Sequence, residues 1–273
     1  MALYDIIDEI TARQVTKTET GDNRMTGVTV GIVAKNYDKD MGGRVCVTIP
    51  TRDQKANELK WARVAQPSGG SGWGHYFLPE VGDQVLLAFE GGNIEHPYVI
   101  GCIPKDKDKF LTQSVDKDNR TKRIVTKHGS IISFDDSPDD KKGLKDKITI
   151  QTADKAHTVL LDNEAKKIRI ADKKGENFIE MKTDEGSGSI TIKAKSKLTI
   201  QVGDSVKLIL NGESGAVKLE ANQVTVQASN QLSVKSDGML KADGGTVSIS
   251  ASSAFKAESG GAVKIGGTPI SIG

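Results

Sequence analysis

The sequence predicts an all-β protein, a small five-stranded barrel followed by a long rod of short strands, and three observations carry that prediction. Between Thr26 and Ile103, short alternating apolar runs are separated by Gly, Pro, Asn and Asp turn chemistry. From about residue 190 one unit, two or three alternating apolar residues and then a small or polar break, recurs about every eight positions. Side chains also become smaller along the chain: no Trp or Tyr follows Tyr98, and six of the seven prolines occur by Pro138. Period-two alternation marks strands with one buried face, and a fixed repeat length marks a stacked, quasi-one-dimensional architecture.

Residues 1–25 read as a docking segment. Leu3, Ile6, Ile7 and Ile10 recur at the spacing of one helix face, with Asp5, Asp8 and Glu9 on the other. So short a helix is marginal in isolation, and it is expected to dock either on its own barrel or on a partner. Residues 26–103 supply five strands, Val28–Ile32, Val45–Ile49, Trp61–Ala65, Val85–Phe89 and Tyr98–Ile103, with hairpin signals at Met41-Gly42-Gly43, Gly82-Asp83 and Gly91-Gly92-Asn93. Five strands in under 80 residues predict an OB-type Greek-key barrel. Residues 104–123 form a charged, solvated linker. From 124 to 189, strands starting near Ile131, Ile148, Val159, Ile168 and Ile179 are joined by polar turns and make a wider-spaced shaft.

Residues 190–273 are the needle, whose repeats open at Ile190, Leu198, Val206, Val217, Val224, Leu232, Leu240, Val247, Phe255, Val263 and Ile270. Its inward positions, such as Val224, Val226, Leu232, Val234, Val247 and Ile249, are small. One chain wound around them has a thin core, while apolar burial must offset backbone ordering of roughly 1–2 kcal/mol per residue. Three chains wound together close a narrow triangular prism and leave no lateral edge unpaired. The predicted fold class is therefore all-β, an N-terminal OB-fold barrel followed by a trimeric intertwined β-helix (prism) needle. A single-chain solenoid is the alternative, though such folds commonly need longer turns. With one strand layer every ~5 Å, eleven repeats extend on the order of 50 Å.

A formal net charge of +2 with 27% charged residues gives no overall basic field of the kind that drives nucleic-acid binding. From residue 190 on, nine Lys and six acidic residues are spread singly, as on a solvated surface. The N-terminus lacks a basic start and acids interrupt its apolar stretch, so no signal peptide is expected. No apolar run approaches the roughly 20 residues of a membrane helix. The chain is expected to be made and kept as a soluble cytosolic protein unless some machine exports it. Cys46 and Cys102, in predicted strands and far from a second Cys or His at ligand spacing, read as buried reduced thiols.

Candidate chemistry is sparse. Glu80 and Asp83 form a carboxylate pair of the kind used in acid–base hydrolysis, yet they flank a Val-Gly turn. Ser68–Gly74 is Gly-rich without the Gly-Lys-Ser/Thr ending of a phosphate cradle, and reads as a mobile loop. Asp116-Lys-Asp118-Asn-Arg120 begins like a calcium loop, but Arg holds the third ligand position and the turn Gly is missing. Asp135, Asp136, Asp139 and Asp140 read as a solvated turn. His75 and His96 lie at strand ends without the Cys partners of a zinc site. Trp61, Trp73, Tyr76 and Phe77 have the composition of a stacking platform for single-stranded nucleic acid, but the small excess of positive charge around them favours core and subunit packing. No catalytic residue, metal ligand or cofactor is predicted, and the chain is not expected to be an enzyme.

The stretches Gly31-Ile-Val-Ala-Lys-Asn-Tyr-Asp, Gly43-Arg-Val-Cys-Val-Thr-Ile-Pro, Trp61-Ala-Arg-Val, Gly72-Trp-Gly-His-Tyr-Phe-Leu-Pro-Glu-Val-Gly-Asp-Gln-Val and Pro97-Tyr-Val-Ile-Gly resemble the OB domain of phage baseplate assembly protein V and of the valine-glycine repeat (VgrG) spike proteins. Lys122–Pro138 resembles the segment that opens the shaft in those spikes. The resemblance implies a homotrimeric, structural central spike in the baseplate of a contractile tail or injection apparatus. Such a spike links the hub to the tip and pierces the target envelope mechanically. It would be assembled in the cytoplasm and carried on a phage tail, a bacteriocin or another injection particle.

Only about 25 residues precede the barrel, so the resemblance implies a separate hub protein, through which the tail tube is reached indirectly. The interval 104–123 is too short for an enzyme domain. With no His after His157, the His-x-His iron apex of some small spikes is absent. A proline-alanine-alanine-arginine (PAAR) type tip protein is therefore expected on the apolar end formed by Pro269, Ile270, Ile272 and Gly273. Contact with the target membrane would be transient, and no nucleic acid would be bound. The rival readings are a trimeric fibre or adhesin and an OB-fold nucleic-acid-binding module.

Overall fold

The computed structural model describes residues 24–50 and 60–271. The stripe Leu3, Ile6, Ile7 and Ile10 lies outside the described residues, as do Ile272 and Gly273. The chain divides into two units, one running to Thr199 and taking in Ile209–Val217, the other made of Ile200–Leu208 and Lys218–Gly273.

The barrel contains β1 (Val28–Lys35), β2 (Arg44–Thr48) and β3 (Lys60–Val64), then a small hairpin of β4 (Gly69–Gly70) and β5 (Trp73–Gly74), then β6 (Gln84–Phe89) and β7 (Pro97–Cys102). Five strands close in the order β1-β2-β3-β7-β6. The β3–β7 pair is parallel and the rest are antiparallel. Alternation turns Val33, Val45, Val47, Val85, Leu87 and Val99 inward, none more than 1% exposed. Each such side chain stabilises the fold by about 1.5–3 kcal/mol. Gly31 lets β1 approach the core, because a Cβ there would stand 2.6 Å from Leu87 Cδ1. Where a mobile loop is predicted at Ser68–Gly74, the β4–β5 hairpin forms, and Gly74 takes a φ of +143° with a Cβ position 2.6 Å from Gly69 Cα.

Cys46 is buried as expected, and burial pushes its thiol pKa up. Cys102 is exposed, contrary to expectation. It ends β7 beyond an irregularity opposite Leu86 and Leu87, so the buried pattern of Pro97 and Val99 does not continue to it.

Within 104–123 the chain makes a helical turn, α1 (Lys109–Thr112), and then enters β8 (Thr121–Val125). Arg123 ties the two together, its guanidinium 5.6 Å from the Phe110 ring centre and donating to Phe110 O at 2.9 Å and Ser114 Oγ at 2.8 Å. An antiparallel meander continues through β9 (Ile131–Asp135), β10 (Lys147–Gln151), β11 (His157–Asp162), β12 (Lys167–Asp172), β13 (Phe178–Lys182) and β14 (Ser189–Lys193), seven strands in sequence order. Polar caps shape its turns. Asp172 accepts from the Glu176 and Asn177 amides at 3.0 and 3.1 Å, and Asp162 accepts from the Ala165 amide at 2.9 Å. Ile190 and Ile192, which open the repeat in the sequence, pair with β13, so the sheet runs past residue 189.

Beyond it, β15 (Lys197–Val202), β16 (Val206–Asn211) and β17 (Ala216–Glu220) form a three-stranded sheet. From 221 to 271 no strand is formed. The backbone instead bends at 222, 229–230, 237–238, 245, 252–253, 260–261 and 268–269, and each bend is followed by the apolar residue that opens a sequence repeat.

Candidate assembly surfaces

Register turns the alternation of the seven-stranded sheet into two apolar rows on one face. Ile124, Ile132, Ile150, Val159, Ile170, Ile179 and Ile192 are successive cross-strand partners. Beside them run Phe134, Ile148, Leu161, Ile168, Met181 and Ile190. Paired β-branched and aromatic side chains stabilise such a sheet by roughly 0.2–1 kcal/mol each. The opposite face is polar: Arg169 lies 4.0 Å from the Phe178 ring centre and donates to Glu180 at 2.5 Å, holding the Glu180 carboxyl below its usual range. The apolar face is uncovered in the single chain, with Ile170 51% and Ile190 66% exposed. A contiguous exposed apolar patch of this kind marks an interaction surface.

The stretch 222–271 is exposed at every residue. No backbone–backbone hydrogen bond forms within 221–271, which is irregular apart from its regularly spaced bends. Its polar side chains pair locally, as in Lys241–Asp243 at 2.8 Å and Lys256–Glu258 at 2.5 Å, each two residues apart and so on one face. Val224, Val226, Leu232, Val234, Val247 and Ile249 are 51 to 72% exposed. Pro269 and Ile270 fall at and just after the last bend, and Ile270 is half exposed.

A groove of about 980 Å³ separates the barrel segment Tyr76–Asp83 from α1 and the first hairpin of the sheet, with Phe77, Val81, Phe110 and Val125 among its apolar lining. Lys127 Nζ crosses it to Glu80 Oε2 at 2.8 Å. That bond draws the Glu80 carboxyl below its usual range and pushes the Lys127 ammonium up. Asp83 Oδ2 accepts from the Glu80 amide at 2.8 Å, so this carboxylate pair is occupied in turn and strut contacts.

The other sequence candidates have similarly local partners. His75 Nδ1 lies 2.9 Å from Ser68 Oγ, and His96 Nδ1 lies 3.5 Å from Glu90 Oε2. Asp116 Oδ1 accepts from the Asp118 and Arg120 amides at 2.9 and 3.4 Å. Asp135 and Asp136 pair with Arg120 and Lys122 at 3.6 Å, and Asp140 caps the Lys142 and Lys145 amides. Among the described residues, no group of three or more His, Cys, Asp or Glu is placed to hold a metal. Trp61 lines a cleft with Arg44, Arg63 and Tyr98, whereas Tyr76 and Phe77 line the groove, so the four aromatics do not form one platform. Sequence reasoning named needle residues as assembly sites but missed the two apolar rows of the shaft. The same period-two signal marks them, at Ile148/Ile150 and Ile168/Ile170. No helix among the described residues is long and apolar enough to cross a membrane.

Residues 29–103 match the family described as the type VI secretion system/phage-baseplate injector OB domain. The chain is 32% identical over 83 residues to the type VI secretion system spike protein VgrG2a of Pseudomonas aeruginosa, covering 29% of this chain and 10% of that protein. It is 30% identical over 129 residues to VgrG1c of the same organism, covering 43% of this chain and 17% of the relative. To VgrG3 of Vibrio cholerae it is 35% identical over 83 residues, 29% of this chain and 8% of the relative. The chain thus spans less than a fifth of these curated spike proteins. The closed barrel occupies the stretch that matches the type VI secretion system/phage-baseplate injector OB domain, so the similarity and the fold agree over residues 29–103.

Proposed function

We propose that the chain is the central spike of a contractile tail or injection apparatus, working as a homotrimer that pierces a target cell envelope mechanically. The carrying observation is the stretch 221–271, bent every seven or eight residues, exposed from 222 on and without backbone pairing of its own. Backbone N–H and C=O groups need partners when buried, and alternating Val, Ile and Leu gain nothing from lying in water. Two further copies supply both: strands from three chains pair around a core filled by Val224, Val226, Leu232, Val234, Val247 and Ile249. The apolar rows of the shaft are likewise buried between copies.

In this reading the needle, residues 190–273, and the shaft that precedes it carry load and perform no chemistry. Force comes from the contracting apparatus, and the spike has only to stay folded. The barrel sits on a separate hub protein, and Leu3, Ile6, Ile7 and Ile10 dock either on that hub or on the barrel itself. A PAAR-type protein caps Pro269, Ile270, Ile272 and Gly273. The spike is assembled in the cytoplasm and leaves as part of a phage tail or related particle, touching the target membrane only in passage.

Light scattering on the full-length protein, repeated on a chain ended after residue 123, tests the proposal. A trimer that becomes monomeric or labile on truncation supports it. A full-length monomer overturns it and leaves a single-chain solenoid.

A further inference from the structure

The meander sends alternate loops to opposite edges of the seven-stranded sheet, and the two edges carry opposite charge. Loops 126–130, 152–156 and 173–177, with residues 194–196, leave one edge and hold five Lys against two acidic residues. Loops 136–146, 163–166 and 183–188 leave the other and hold seven acidic residues against four Lys. Part of this charge is used within the chain: Lys173 pairs with Asp154 at 2.9 Å, and Lys147 with Glu164 at 2.9 Å. Lys174, Asp184 and Glu185 have no ion-pair partner among the described residues.

We infer that the basic edge of one copy seats against the acidic edge of the next, with Lys174 facing Asp184 and Glu185 of its neighbour. The inference rests on the trimeric reading above. In a closed ring every copy offers one edge forward and the opposite edge backward, a heterologous contact that self-complementary charge favours. Axial level agrees as well. The loop 173–177 joins β12 to β13, whereas 163–166 joins β11 to β12 and 183–188 joins β13 to β14. Copies related by pure rotation lie at equal height, so the Lys174 loop enters the gap between the neighbour's two acidic loops. Within one chain the contact is impossible, because the five residues of β13 hold the Lys174 and Glu185 loops about 17 Å apart. The edges thereby fix which side of each copy meets which, a task the apolar rows do not perform.

The test uses the full-length chain in a Cys102→Ser background, with Lys174→Cys and Glu185→Cys introduced singly and together. After mild oxidation and blocking of remaining thiols, a denaturing gel without reductant reads the linkage. The double variant is expected to give a covalent trimer and each single variant only monomer, since a disulfide needs Cα atoms within about 7 Å. In parallel, Lys174→Glu and Glu185→Lys should each lower the urea midpoint of trimer dissociation, and their combination should recover it. A native trimer by light scattering whose double-cysteine variant stays monomeric on the gel overturns the edge contact and leaves the trimer standing. A native monomer overturns both.

Discussion

Gly31 shows how tightly single residues are specified in the barrel. Its Cβ position lies 2.6 Å from Leu87 Cδ1 and 3.3 Å from Thr48 O, so both a core side chain and a neighbouring strand crowd it. Gly31→Val overpacks that contact at a cost of about 1–3 kcal/mol. Amide exchange in β1, β2 and β6 should then quicken roughly five- to a hundredfold; unchanged protection would show that Leu87 moves aside freely. The Glu80–Lys127 strut makes a different prediction. Lys127 holds the Glu80 carboxyl below its usual range. The strut therefore contributes above the ordinary carboxylate range, and its contribution is lost as pH falls through the lowered value. Lys127→Ala should bring the Glu80 titration, followed by carboxyl NMR, back up toward the usual range. A value that stays low would assign the effect to Asn36, which donates to Glu80 at 3.5 Å. Neither feature is legible in the sequence, where Gly31 reads as one more strand residue and Glu80 as half of a carboxylate pair. Each depends on a partner more than 40 residues away, Leu87 for Gly31 and Lys127 for Glu80.

At the scale of elements the sequence is far more informative. The barrel strands fall within a few residues of their predicted spans, because alternation and turn chemistry are local signals that tertiary packing here reinforces. The strands of the shaft start where expected, at 131, 147, 157, 167 and 178. What alternation cannot reveal is pairing. Whether Ile190 belongs to the shaft or the needle depends on Met181 standing opposite it. Likewise, the opposed charges of the sheet edges emerge only once alternate loops are known to leave alternate ends, since a sum along the chain averages them away. The two faces of the sheet make a selective test. Ile170→Asp puts an unpaired charge on the apolar face, where an assembled trimer would bury it at a cost of several kcal/mol. Thr149→Asp changes the polar face. Light scattering should find the first variant unable to form the native trimer and the second unaffected. Equal masses for the two variants would mean that the apolar face is not the buried one.

For the whole molecule, the question is what would keep the proposed needle, with its small side chains, intact under load. Thermodynamic stability of one isolated copy is no answer, because 222–271 buries nothing by itself. In the proposed trimer no strand would leave without breaking hydrogen bonds to two neighbours, so resistance would lie in the unfolding rate rather than in a large core. Loss of the winding should therefore be felt as lost kinetic stability before lost secondary structure. A chain ended after Glu220 retains every strand found among the described residues but not the winding segment. It is predicted to lose trimers at low denaturant at least tenfold faster than the full chain, with little change in far-ultraviolet circular dichroism before dissociation. Val226→Asp, which places a charge on the inward row, should approach the truncated behaviour, whereas Gln227→Asp on the outward row should retain the full chain's rate. If all four proteins dissociated at one rate, the interlock would reside in the shaft alone and the needle would add length without strength. If only the truncated and Val226→Asp forms are fast, the alternation of 221–271 acts as the mechanical clamp, consistent with its having no backbone partner among the described residues.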